Sequence, residues 1–197
     1  LVGLDLYWKL GIAFVPAAVM GFLLDRVIDS LLDNVLVVAL ALLLGGVVLL
    51  FIDRWLDPKE ERPVTYLRAL WIGCWQCIAL IPGVSRSAAT IIGGMANGLT
   101  RKQAAEFSFF LAVPTMFAAT TFKVIKGYSE TPEIFTREKF GLLLLGNGVA
   151  FVVAVLAIRF FIGYLQKHGF QLFGWYRIVL GLAILVLLGL GHDLKML

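Results

Sequence analysis

The nonapeptide P-G-V-S-R-S-A-A-T, Pro82 to Thr90, straddles the end of an uncharged run of sixteen residues, Ala69 to Val84. A proline in a helix interior removes one backbone hydrogen bond and clashes with the preceding turn. Pro82-Gly83 therefore divides the segment into two short limbs, and a membrane-spanning helix needs about 20 apolar residues. Two short limbs meeting at a tight turn predict a re-entrant hairpin. Irregular backbone at membrane depth survives only where it is buried in protein or lines a wet cavity.

The surrounding chain supports membrane depth. Of 197 residues, 60% are hydrophobic and 15% charged, against about half and about a quarter in soluble domains. The net charge of +4 is small and its basic residues are scattered, which excludes nucleic acid as a partner; Lys and Arg flanking spans account for most of them. Cys74 and Cys77 lack a thioredoxin-like setting, and two thiols alone cannot close a zinc site, so they read as small apolar residues on a helix face. His168 and His192 have no neighbours at ligand spacing.

Charges divide the sequence into apolar blocks: Leu10 to Leu24, Asn34 to Ile52, the broken Ala69 to Thr100 segment, Phe107 to Phe122, Phe140 to Ile158, and Ile178 to Gly191. The two nineteen-residue blocks span unaided, and the shorter ones span if flanking polar residues such as Ser108, Thr120 and Thr121 count. The expected fold is an all-α polytopic membrane protein, a helical bundle with one broken re-entrant segment, forming a single integral-membrane domain over residues 1–197. Val15-Pro16 and Val113-Pro114 fall at matching places in two blocks, each followed by a span with central glycines. This echo suggests repeats meeting at a midplane site, the first repeat incomplete. The chain opens on Leu1 with no charged leader, and is expected to be a fragment whose natural start lies upstream. If the broken segment returns to its own side, the basic residues divide nine against six; if it crosses, ten against five. The positive-inside rule slightly prefers the crossing. Either way Asp53 to Arg68 is cytoplasmic and Asp25 to Asp33 lies outside.

Arg86 is the costly residue, since an arginine at a span centre carries about 2.5–3.5 kcal/mol on insertion scales. It either pairs with Glu106 and fastens two segments, or it serves a ligand. After the Pro-Gly turn at Gly83, Ser85, Arg86 and Ser87 fall at a helix start, where free N–H groups and the helix dipole favour an anion. The serine hydroxyls add neutral donors, and the guanidinium fork matches phosphate oxygens. Thr90 shares the face of Arg86 and Ser87. These groups read as a phosphate or diphosphate cradle for a lipid phosphate. Gln76 is the one polar side chain in the preceding limb, and Glu106 the one nearby carboxylate in sequence. No His or Asp adjoins the serines: the positions demanded by the lipid-phosphatase signature S-R-x5-H-x3-D hold Ile92 and Ala96.

The run W-I-G-C-W-Q-C-I-A-L-I-P-G-V-S-R-S-A-A-T-I-I-G-G-M, Trp71 to Met95, and the stretch A-A-E-F-S-F-F-L-A-V-P-T-M, Ala104 to Met116, closely resemble the undecaprenyl-diphosphate phosphatase family linked to bacitracin resistance. The likeness runs more loosely over nearly the whole chain, including F-V-P-A-A-V-M-G and the Tyr176-Arg177 pair. The resemblance implies hydrolysis of the C55 prenyl diphosphate carrier to its monophosphate for cell-wall synthesis. It implies a multi-pass protein of the bacterial cytoplasmic membrane, with inverted repeats and a site open to the extracytoplasmic side. Ser85, Arg86, Ser87 and Thr90 would hold the diphosphate, with Gly83 and Gln76 beside them and Glu106 in support. A divalent cation, Mg2+ or Ca2+, is implied, and the likeness leaves room for a homodimer. The family's second motif, with paired glutamates, a Pro-Val-Ser-Ser turn and a histidine, does not occur between Leu1 and Leu197. Two other readings fit the residues: a lipid-phosphate transporter or flippase using the same anion site, and a structural subunit with Arg86 in a salt bridge.

Overall fold

One helix ends at Ile78, the turn holds Pro82 and Gly83, and Ser85 caps the next helix in a computed structural model that describes residues 2–56, 58–130 and 137–190. The helices are α1 (Val2–Leu23), α2 (Asp25–Leu32), α3 (Val35–Trp55), α4 (Tyr66–Ile78), α5 (Arg86–Ala96), α6 (Arg101–Glu130), α7 (Arg137–His168) and α8 (Gln171–Gly189). There is no strand among the described residues. Five helices, α1, α3, α6, α7 and α8, contain stretches long and apolar enough to cross a membrane. The protein is an all-helical, polytopic membrane protein. Gly191 and His192 lie outside the described residues.

The broken segment forms α4 and α5, of 13 and 11 residues. At 1.5 Å per residue they measure about 20 and 17 Å, short of a hydrocarbon core of about 30 Å. Their outer ends meet. Gln103, in the first turn of α6, accepts from the Arg62 N–H at 3.3 Å and donates to the Arg62 carbonyl at 3.1 Å. The chain thus enters α4 and leaves α5 at the same end of the bundle. The hairpin re-enters, and the single crossing slightly preferred by charge counting does not occur. A margin of one basic residue cannot outweigh a Pro-Gly break in the middle of the segment.

Other polar ties gather at this end. Asp53, at the end of α3, holds Arg101 at 2.8 Å and accepts from the Phe170 N–H at 2.8 Å. The Tyr66 hydroxyl donates to Asp5 at 2.7 Å. Apolar packing fills the space between: Ile72, Ile91, Met95, Leu99 and Leu111 are fully buried between α4, α5 and α6. At the hairpin tip, Gly83 has φ +88°, and a Cβ there would sit 2.6 Å from the Val38 carbonyl. Val38 lies one turn into α3, so the hairpin reaches across most of the bundle's depth.

Close approach through glycine fixes the neighbouring helices. α3 and α8 run antiparallel and form the most extensive helix pair. A Cβ on Gly46 would meet the Gly174 carbonyl at 2.8 Å, and one on Gly181 the Ala39 carbonyl at 3.0 Å. In lipid, such contacts replace the hydrophobic effect as the source of helix association. α1 and α6 both start from the Asp53 end, because Asp5 meets Tyr66 and Gln103 meets Arg62. The Val-Pro echo therefore relates two helices pointing the same way, and it does not carry an inverted repeat. On α4, the Cys77 thiol donates to the Gly73 carbonyl at 3.5 Å, and Cys74 is exposed.

Gly46→Leu should destabilise the 197-residue chain by about 1–3 kcal/mol through overpacking, seen as a lower melting temperature in detergent. Gly148→Leu, at a position where a Cβ meets nothing within 4 Å, should leave the melt unchanged.

Candidate anion-binding site at the hairpin tip

Ser85 is the N-cap of α5: its backbone is extended (φ −72°, ψ 120°) and its Oγ accepts from the Ala88 N–H at 3.3 Å. The Ser87 hydroxyl lies 3.2 Å from that of Ser85. Being first-turn residues, Arg86 and Ser87 have backbone N–H groups with no acceptor inside the helix. Hydroxyls, free amides and the positive end of the helix thus converge at one point.

A second guanidinium arrives there from a distant part of the chain. Arg177 of α8 donates through Nη2 to the Gly83 carbonyl at 2.6 Å, and a longer contact of 3.5 Å reaches the Ala41 carbonyl. It is 9% exposed, and its Nε has no hydrogen-bond partner among the described residues. Gly45 makes the room, since a Cβ there would stand 2.8 Å from Nη2. Sequence reasoning assigned Arg177 no role. The available signal was the one that marked Arg86: a single arginine adjoining apolar sequence with no acidic residue nearby.

Successive residues leave a helix axis about 100° apart, and α5 uses this to serve two spaces. Ser85 and Ser87 line a pocket of about 250 Å³ with Tyr176 and Arg177, walled by Phe161 and Phe173. Arg86 faces another cavity, of about 430 Å³, shared with Gln76, Asp25 and Thr115. Gln76 is 2% exposed, and among the described residues neither its amide atoms nor the buried Arg86 Nη1 has a hydrogen-bond partner. Leaving a buried polar group unsatisfied costs about 1–3 kcal/mol, so this cluster is suited to binding something that supplies acceptors and donors. Ser85, Ser87 and Arg177 lie on one side of this helix end, and Arg86 on the other.

Two residues expected at the site lie apart from it. Thr90 is fully buried; its hydroxyl contacts the Arg86 and Ser87 carbonyls at 2.9 and 3.2 Å and the Ser108 hydroxyl at 2.6 Å. It is turned toward α6, fastening the hairpin rather than lining either pocket. Glu106 sits 4.0 Å from Lys102, both half exposed. With Thr90 opposite Ser108 and Gly94 against Ala104, Glu106 falls at the level of Ile92, about 9 Å along the axis from that of Arg86. The structural pairing of Arg86 with Glu106 is absent for that reason.

The donor set does not suit a divalent cation. Mg2+ and Ca2+ take carboxylate and carbonyl oxygens, whereas the tip offers guanidinium, amide and hydroxyl groups, with Asp25 the single carboxylate on either pocket wall. No group of three or more His, Cys, Asp or Glu is placed to hold a metal among the described residues.

Comparison with known proteins shows the family. The family described as Bacitracin resistance protein BacA matches residues 2–183. The chain is 51% identical over 193 residues to a protein named undecaprenyl-diphosphatase from Flavobacterium psychrophilum, covering 98% of this chain and 74% of that one. A protein of the same name from Porphyromonas gingivalis is 51% identical over 191 residues (96% and 68%), and one from Enterococcus faecalis 43% over 189 (93% and 67%). The chain belongs to the BacA family.

The Thr90–Ser108 bond should couple the hairpin to α6. Thr90→Val and Ser108→Ala are each expected to cost about 1 kcal/mol. In a double-mutant cycle of detergent melts, the pair should cost less than the sum of the singles.

Proposed function

We propose that this protein is an undecaprenyl-diphosphate phosphatase, a membrane hydrolase that converts the C55 prenyl diphosphate carrier to its monophosphate and inorganic phosphate. One observation carries the reading: two arginines at membrane depth, Arg86 and Arg177, flank the serine-capped start of α5. Paired cations beside free helix amides, in an apolar surround, suit a polyanion on a lipid. The relatives' shared name supplies the chemical identity of that lipid.

In the reaction, the bond between the bridging oxygen and the terminal phosphorus breaks, an oxygen from water joins that phosphorus, and the bridging oxygen stays with the prenyl phosphate. Charge builds on the phosphoryl oxygens and on the leaving oxygen. Donors fixed in advance stabilise such charge without reorganising, which is the role assigned to Arg86, Arg177, the hydroxyls of Ser85 and Ser87, and the α5 amides. Gly83 lends its carbonyl to orient Arg177. Gln76 completes the wall beside Arg86, and Thr90 positions the helix through Ser108. Glu106 lies too close to the start of α6, about 9 Å short of the level of Arg86, to reach the reacting atoms. No general base adjoins the serines among the described residues, and acid–base chemistry is assigned to none of them. No step is assigned to the implied cation.

The protein is a multi-pass membrane protein, and we place it in the bacterial cytoplasmic membrane with Asp53 to Arg68 inside. The hairpin tip then lies against Val38, near the outer end of α3, which supports a site opening to the extracytoplasmic side.

The test is phosphate release from undecaprenyl diphosphate in detergent, using the protein extended upstream to its natural start. Arg86→Ala and Arg177→Ala should each lower kcat/KM by about 10² to 10³. Glu106→Gln should leave it unchanged. No release by a folded, extended protein would overturn the reading.

A further inference from the structure

An apolar groove of about 720 Å³ runs between α3 and the hairpin. Leu44, Val48 and Trp55 of α3 form one wall, and Trp75, Ala88 and Ile92 the other. Its head is polar and already familiar: Ser85 and Arg177, which also line the 250 Å³ pocket. The guanidinium lies beside Gly45, and Trp55 is ten residues further along α3, about 15 Å away. The groove thus leads from the anion donors toward the Asp53 end of the bundle.

We propose that this groove seats the head-proximal isoprenoid units of the substrate's own chain, an inference that rests on the phosphatase reading above. A diphosphate held at Ser85 and Arg177 must pass its first carbons over whatever adjoins those groups. The groove is continuous with them, and apart from them its walls are apolar. The 430 Å³ cavity is the poorer home for hydrocarbon, since Arg86, Gln76 and Asp25 stand on its wall. Depth also fits: a headgroup near the outer end of α3 directs its tail inward. Leaving lipid for the groove brings the chain no hydrophobic gain, because lipid tails are as apolar as leucine. The groove acts by position, holding the carbon–oxygen–phosphorus link against Arg177 at a defined angle.

Two measurements on the full-length protein in detergent test this. Val48 and its neighbour Val47 are both exposed, but Val48 lines the groove and Val47 does not. Val48→Trp should lower kcat/KM for undecaprenyl diphosphate about tenfold, and Val47→Trp should leave it unchanged. Independently, a prenyl diphosphate with a diazirine in its second isoprene unit should label wild-type protein within 44–55 or 88–92. Equal activity of the two variants, given matching melts, would overturn the proposal. So would labelling confined to α1 or α6. Because labelling needs no turnover, it judges the groove even if wild-type protein releases no phosphate, an outcome that would strike the phosphatase reading instead.

Discussion

A guanidinium at membrane depth must find oxygen, and in this fold the bond from Arg177 to the Gly83 carbonyl meets that need. The Pro-Gly turn frees a carbonyl that no helix claims, and α8 supplies the cation that claims it. Each depends on a glycine: Gly83 for a backbone conformation that side chains resist, and Gly45 for room beside Nη2. Gly46, Gly174 and Gly181 let α3 and α8 approach closely enough for Arg177 to arrive at all. Cation, turn and helix pair form one construction, and the start of α5 is where it comes to a point.

Much of this was legible in order of sequence. Proline and glycine announced the break, charge spacing announced the spans, and Ser85 announced a helix start. Arg86 stood out because water is the usual partner of an arginine and the surrounding residues exclude it. What escaped was anything set by distant contact. Arg177 is 94 positions from Gly83, and only the packing of α8 on α3 brings the two together. The division of the tip into two pockets depends on how α5 is rotated about its axis, which spacing alone leaves open.

The misplaced residues fail for specific physical reasons. Thr90 does share a helical face with Arg86, but a short hydroxyl in a helix readily turns back to the carbonyl four residues earlier, and Ser108 reinforces that choice. Glu106 is near Arg86 along the chain, yet α5 and α6 are antiparallel, and Glu106 comes so soon after the turn that it reaches only the level of Ile92. The Val-Pro echo joined two spans that run in the same direction, whereas an inverted repeat needs opposite ones. Local pattern specifies what a segment becomes; partner and direction come from the assembled bundle.

The reciprocal Arg62–Gln103 bonds fix the parity of the chain. With the hairpin folded back on its own side, the crossings among the described residues number five, an odd count. α1 therefore begins in one compartment and α8 finishes in the other. Reporter domains inserted just before α1 and just after α8 would experience different redox and proteolytic environments, a difference that a sixth crossing between them would have erased.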